Sequence, residues 1–581
     1  MRIWTGRAGS GKTTAILREI AALSEKGEGR QILLVPELNS HLMERRLAAA
    51  THNHGARTAE VLTFSRLADR VFSEVGGLAQ QMLTPAGQLL TLQEAARRVQ
   101  GGLSAWKGLA DKPELLQEAL RLIDECKTCA VAPETLFAAA EESEDAVLAE
   151  KLSDLAQILT AYERLCEESL PDPRDRLTHL RDRLAESHTL DGAAVYLDGF
   201  LGFTVQESAV VDAMLAAGVP LSAAVTCDTD YPEIFLTGCK TVQKLTRMAK
   251  HHNQTVERIE LGESKVARPA GLAALERESL LPVRTPQESA AGVRLYEAAS
   301  PFDECEHAAA YIRRKVRDEG ARCRDFVVAA RDIEPYSAFL AMAMARYDIP
   351  VFLAEKPDLL SRPPMALVTN ALEAVRNHFR YEDLFSCLKT GLAGLDWDEI
   401  DKLENYVLTW NIRGGAWERE WTEHPDGYGL SIDENAKAQL AELNTLRKRA
   451  IAPFSALREA LAGEQPAGDC VRALYAFLLA VDAPQRMTDR AAGHEQAGRL
   501  QLADEYRQLW EILVSAMEQF AWVCGDMPLT LDRFAQLFRL VLGEYDVGTI
   551  PVSLDRVTCG NIERACTENA KYVILLGVND G

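Results

Sequence analysis

Residues 1–26 read MRIWTGRAGSGKTTAILREIAALSEK, and Gly6-Arg7-Ala8-Gly9-Ser10-Gly11-Lys12-Thr13 within them fits the P-loop pattern G-x-x-x-x-G-K-[ST]. A β-prone run, Arg2 to Thr5, precedes the loop. A helical run follows it, with Ile16, Leu17, Ile20 and Leu23 at helical spacing and Gly27 as its stop. Strand, glycine loop and helix in that order predict an α/β fold in which backbone N–H groups and a helix N-terminus face a phosphate. Lys12 is then placed to reach the outer phosphates and Thr13 to hold Mg²⁺. A loop kept for the fold without turnover is the competing reading, and the loop alone does not decide between them.

The 581 residues suggest about four domains on a prior of roughly 150 residues each. With 47% hydrophobic and 26% charged residues the composition is that of a globular chain able to build several cores. No apolar run approaches the roughly 18 residues of a membrane span, and the P-loop occupies the place of a signal peptide, so a cytoplasmic location is expected. The twelve cysteines are scattered through apolar or helical surroundings, as reduced core thiols would be; the C-x-x-C pair Cys126 and Cys129 has no second pair or nearby His to complete a metal site. A net charge of −22 argues against a surface that binds nucleic acid all over, but leaves room for a local basic channel.

Beyond the P-loop helix, Gln31 to Pro36 reads as a buried strand, Ser40 to Ala49 as a helix, Ala59 to Phe64 as a strand and Ser65 to Glu74 as a helix. This βαβαβ pattern implies a parallel sheet covered by helices. From about Thr84 to His188 only helical periodicity is present. Strands resume at Ala193–Asp198 and Leu221–Thr226, with a helix near Val205–Ala217 between them. A second α/β unit is expected to open with a strand at Val293–Ala298. A helix over Asp303–Glu319, a strand at Phe326–Ala330 and a helix near Pro335–Arg346 should follow. Residues 380–545 are again mainly helical, before strands at Arg556–Thr558 and Lys571–Leu576. The expected parts are a first P-loop domain over 1–78 and 191–264, interrupted by a helical insertion over 79–190. A linker over 265–290 leads to a second domain over 291–379 and 549–581, interrupted over 380–548. The chain stops directly after an apolar strand, so a truncated second domain is expected.

Asp198 ends its strand and is the natural acid to hold Mg²⁺ beside the P-loop, although a strand-end Asp can also simply cap a turn. Motor ATPases commonly follow that Asp with a Glu that positions the attacking water. Here the next residue is Gly199, so the site is equipped to bind Mg-nucleotide and poorly equipped to hydrolyse it. Thr63-Phe64-Ser65-Arg66 lies where a strand turns into its helix at the carboxyl edge of the sheet. Its hydroxyls, helix N-terminus and Arg66 could meet DNA phosphates while Phe64 stacks on a base. A Ser N-cap with Phe64 in the core explains the same residues equally well. The aromatic and glycine-rich run Leu403–Trp417 reads as a partner or DNA loop, or more simply as a helix end with a Gly stop and a packed Trp.

Two interrupted α/β units with a P-loop in the first resemble superfamily 1 helicases of the UvrD type, whose domains are RecA-like. More closely, the chain resembles the AddB family (RexB in some lineages), which supplies the B-type subunit of the bacterial AddAB helicase–nuclease. The resemblance runs from end to end and rests on GRAGSGKT, ILLVPE, VLTFSRLADRVFSEVGG, VYLDGF, FVVAARDIEPY with DIPVFLAEK, LENYVLTWNIRGGAW and VILLGVNDG. Several motor features are replaced. Gly199 stands for the catalytic Glu, and Thr226–Tyr231 contains no Gln where motors sense the γ-phosphate. Tyr336 and Ser337 stand where an Arg finger belongs, CGNIERACTENAKYVILLGVNDG lacks the T-x-H…K-G-L pattern, and no Gln motif precedes the P-loop.

The resemblance implies ATP and Mg²⁺ binding through Gly6–Thr13 and Asp198, single- and double-stranded DNA as ligands, an AddA-type partner that supplies the motor, and a role in double-strand-break repair. It also implies a nuclease domain of the PD-(D/E)xK type and a 4Fe–4S cluster. Neither the nuclease motif nor the four-cysteine set is identifiable in these residues. An active helicase, a P-loop small-molecule kinase and a scaffold with an empty P-loop are the rival readings.

Overall fold

The computed structural model describes all residues except 52–57, 263–265, 279–285, 287–288, 354–358, 546–554, 564–569 and 580–581. It forms two compact units, Met1–Leu83 with Ala95–Arg294, and Thr84–Glu94 with Leu295–Gly581.

The first unit is built on six parallel strands: β1 (Arg2–Gly6), β2 (Arg30–Leu34), β3 (Ala59–Leu62), β4 (Ala193–Leu197), β5 (Leu221–Thr226) and β6 (Glu257–Glu260). Their order is β3-β2-β4-β5-β1-β6. Strand periodicity of two sends alternate side chains to two separate cores. Trp4, Leu33, Tyr196 and Ala224 join α1 (Lys12–Lys26) and α2 (Ser40–Ala50) on one face. Ile3, Ile32, Leu34, Val195, Leu197, Ala223 and Val225 join α3 (Phe64–Val75) and the helices Val205–Ala216 and Leu236–His251 on the other. A sheet buried on both faces explains why its central strands read as continuous apolar runs. Because every strand runs the same way, Gly6, Thr226, Leu197 and Leu34 all end at one edge. The helices Pro113–Thr128, Pro133–Glu142 and Ala146–Glu168 lie in sequence between β3 and β4.

The second unit carries a parallel sheet of β7 (Phe326–Ala330), β8 (Val351–Leu353), β11 (Val557–Asn561) and β12 (Tyr572–Leu575), in the order β12-β7-β11-β8. The helical block between β8 and β11 also holds a small antiparallel pair, β9 (Gln465–Pro466) and β10 (Pro528–Leu529). The core of that block includes Trp417 and Trp421, and Ala86 and Leu90 join it from the segment Thr84–Glu94.

Three expectations need correction. Val293–Ala298 is not a strand: the chain there is irregular and Leu295 is 94% exposed, so its apolar alternation has no sheet face to bury against. The stretch 265–290 is not all linker, since Ala270–Glu278 is helical; much of the rest lies outside the described residues. The helix through Leu403–Tyr406 does end as a packed segment, but its stop is Asn411 at φ 48° rather than a Gly, and Trp417 is fully buried. Two further strands carry no readable pattern. β6 (ERIE) buries almost nothing, and β8 is three residues long.

Candidate nucleotide site

The P-loop leaves β1 at Gly6 and enters α1 at Lys12, with Gly11 at φ 95° in the N-cap position. That left-handed conformation costs an L-residue about 1–2 kcal/mol and a glycine almost nothing. A Cβ on Gly6 would lie 2.7 Å from both the Leu261 carbonyl and Ser10 Oγ, so the first turn of the loop tolerates no side chain. The Lys12 ammonium donates to the carbonyls of Gly6 (2.8 Å) and Arg7 (2.9 Å). It has three protons, so one remains for an anion. Burial pulls the Lys12 pKa below its ordinary value and the nearby Asp198 carboxylate partly opposes this, as befits a cation held in a protein-lined site. The Ser10 hydroxyl is fully buried and has no partner. A phosphate in the loop would offer acceptors to both Ser10 and Lys12, so these residues fit the ligand that the motif implies.

Asp198 is 5% exposed and follows β4 at the same sheet edge, its backbone N–H donating to Leu34 O at 3.1 Å. One strand, β5, separates it from the P-loop strand. Gly199 has φ 82°, and a Cβ built on it would lie 3.2 Å from the Asn39 side-chain nitrogen and 3.4 Å from Pro36 Cδ. The backbone itself therefore disfavours a Glu at this position.

Arg7 is drawn across the loop by residues far off in sequence. Its guanidinium bonds Asp228 Oδ2 at 2.5 Å and lies over the rings of Tyr231 (5.0 Å) and Phe235 (5.6 Å). The segment Thr226–Tyr231 thus supplies an acid and an aromatic to the P-loop arginine. Neither Arg7 nor Asp228 carries a local signal for this pairing. Beside it, Cys227 and Cys239 are free thiols with sulfurs 3.0 Å apart, and burial pushes Cys227 up to about 12.

At the Thr63–Arg66 corner the N-cap is Thr63, not a serine; its hydroxyl accepts from the Arg66 N–H. Phe64 is 5% exposed and packs edge-on against Phe200 and Phe203, so it is a core residue and its ring is not offered to a base. Ser65 is exposed, and Arg66 pairs with Glu44 on α2. In the second unit Ser337 is buried and gives its hydroxyl to the Ile333 carbonyl. Among the described residues no four cysteines come together, and the three-ligand group Asp212, His251 and His252 contains none, so these residues do not fit an iron–sulfur cluster. No described helix is long and apolar enough to cross a membrane.

Residues 3–276 match the family model described as ADDB, N-terminal. Over its whole length the chain is 33% identical to the B-type subunit of an ATP-dependent helicase/deoxyribonuclease from Acetivibrio thermocellus, covering 52% of that protein. It is 32% identical to the protein of the same description from Desulforamulus reducens and 30% identical to that from a Thermoanaerobacter species, again covering 52% of each. The chain spans about half the length of the curated relatives it matches. With residues 3–276 matching the family model and relatives aligned along all of its residues, the chain matches the N-terminal region of the AddB family.

Proposed function

We propose that this chain is the helicase-like half of an AddB-type protein, a RecA-like P-loop scaffold that binds Mg–ATP with little turnover and holds DNA beside an AddA-type motor during double-strand-break repair in the cytoplasm. The observation that carries the reading is the contrast at the sheet edge. Lys12 and Asp198 keep the groups that hold Mg-nucleotide, while the position after the acid is a glycine at φ 82° facing Asn39. Thr13 and Asp198 hold the metal in this reading, Mg²⁺ neutralises charge on the phosphates, and no side chain on β4 is left to activate water. The placement of one strand between the P-loop strand and the Asp198 strand supports the RecA-like assignment. Thr63, Ser65 and Arg66 remain the proposed phosphate contacts for DNA, without Phe64. Nuclease chemistry is assigned to none of the described residues.

The test is to titrate Mg–ATP into the protein by calorimetry and to follow phosphate release with and without DNA. Saturable binding with turnover on the order of 10⁻²–10⁻⁴ per second, the range of P-loop proteins lacking a full catalytic set, is expected. Rapid DNA-stimulated turnover would instead make the chain a motor.

A further inference from the structure

We infer that Cys227 and Cys239 form a site of oxidative modification, two thiols that a peroxide converts into a disulfide beside the P-loop. Both are free cysteines, and their sulfurs lie 3.0 Å apart. A disulfide bond measures about 2 Å, so the sulfurs need to close by about 1 Å. Cys227 directly follows β5, and Cys239 lies in the first turn of the helix Leu236–His251. The two backbones are pressed together there: a Cβ on Gly238 would run into the Thr226 carbonyl and lie 3.5 Å from Cys227 Cα. The glycine beside one thiol thus permits the close approach that brings it to the other. Each partner is also fixed from a further side. The Cys227 N–H donates to the Gly6 carbonyl at 3.3 Å, and Cys239 Sγ faces the Asp228 carbonyl at 3.8 Å.

The two thiols divide the chemistry between them. Cys239 is half-buried and within an oxidant's reach, whereas Cys227 is 3% exposed. Burial, with the contact to Cys239 adding to it, pushes Cys227 up to about 12, so this thiol does not meet an oxidant as a thiolate in its own right. Cys239 therefore reacts first. Its sulfur, having given up its proton, attacks one peroxide oxygen; the S–O bond forms as the O–O bond breaks, and the departing hydroxide takes a proton to become water. Cys227 Sγ then attacks the sulfenic sulfur of Cys239. The S–S bond forms, the S–O bond breaks, and the oxygen leaves as water with the Cys227 proton. Two thiols have lost two electrons and two protons, and one peroxide has become two waters. The bond joins the two ends of the segment that brings Asp228, Tyr231 and Phe235 to Arg7.

The test treats the reduced protein with hydrogen peroxide and follows it by intact mass, by alkylation after denaturation and by peptide mapping. The expected result is the loss of two hydrogen masses and of two alkylatable thiols, both restored by dithiothreitol. Cleavage after Glu233 separates the two cysteines in sequence, so the fragments that carry Cys227 and Cys239 should stay joined until they are reduced. Cys239→Ser, verified as folded by thermal melting, should show neither the mass loss nor the joined fragments. Two thiols that merely pack would behave otherwise. Peroxide that leaves both alkylatable, or that carries Cys239 to the sulfinic acid without joining it to Cys227, overturns the inference. An equal loss of two hydrogen masses in Cys239→Ser would place the bond elsewhere and overturn it as well.

Discussion

The Lys12 ammonium donates to the Gly6 carbonyl at 2.8 Å, so the P-loop closes on the side chain proposed to meet the phosphate. Lys12→Ala removes both that bond and the charge. A hydrogen bond to a charged group is worth about 1.5–3 kcal/mol, so Mg–ATP affinity should fall by at least roughly tenfold in calorimetry. The pH dependence follows from the lowered Lys12 pKa. The ammonium is lost at a lower pH than in an ordinary lysine, so affinity should begin to drop on the alkaline side before the usual lysine range. Fold stability has the opposite sign: between the lowered and ordinary values the unfolded chain holds a proton that the folded one has shed, and stability rises with pH there. Lys12→Met should flatten both profiles.

Placing a carboxylate directly after Asp198 should not speed phosphate release, on the proposed reading. Gly199→Glu forces a left-handed φ on a side-chain-bearing residue, at about 1–2 kcal/mol, and adds the contact with Asn39. Melting should show a loss of about 1–3 kcal/mol, and phosphate release should not increase. A rise in DNA-stimulated turnover to the rate of a working motor would show that the backbone adapts and that the glycine alone holds the site back.

Much of this site is legible in the sequence because its signals are local. The P-loop glycines, the apolar strands and Asp198 are each recognised within a few residues. What the sequence does not supply is pairing across distance. Arg7 and Asp228 are 221 residues apart, and neither has a neighbour that announces the other. Asn39 likewise comes near Gly199 only once β2 and β4 pair. Phe64 is ambiguous for the same reason, since Phe200 and Phe203, which enclose it, arrive from beyond the helical insertion. Val293–Ala298 misleads in the other direction, since alternation identifies a strand only where a sheet edge accepts it.

Arg66 is held by Glu44 across the gap between α2 and α3. If Arg66 is a DNA contact, that carboxylate competes with the phosphate. Glu44→Gln should then tighten DNA binding and steepen the dependence of log K on log salt, by up to about one unit if one further phosphate is neutralised. Arg66→Ala should weaken binding similarly on all sequences and make the slope shallower by about the same amount. Fluorescence anisotropy across a salt series reads both, and an unchanged slope in both variants removes Arg66 from the interface.

Trp417 is the largest fully buried side chain of the helical block in the second unit. It packs against Phe385 and Trp421, and its carbonyl accepts from Arg447 at 2.6 Å. Trp417→Ala should cost about 3–5 kcal/mol in a denaturant series, the range for deleting a buried aromatic. Trp417→Phe should cost clearly less, because most of the apolar volume remains. Equal losses would mean that the indole contributes something other than packing.

Glu74, near the end of α3, ties down the turn that leads the chain back from the helical insertion into β4. Its carboxylate accepts from the Ser187 hydroxyl, the His188 N–H (2.9 Å) and the Thr189 hydroxyl (2.9 Å). These bonds, led by Ser187, lower its pKa from 4.5 to about 2. A carboxylate with a depressed folded-state pKa stabilises the fold fully above its unfolded value and loses that contribution as pH falls through the folded one. The window is therefore about pH 4.5 down to about 2. Glu74→Gln keeps the shape and removes the titration, so its unfolding free energy should be lower than that of the unaltered protein at pH 7, with the gap closing as the acid limb is descended. Chemical denaturation at pH 7, 4.5 and 3 measures that gap. A gap that stays constant to pH 3 would mean that the Ser187–Thr189 turn is held by something other than the charge on Glu74.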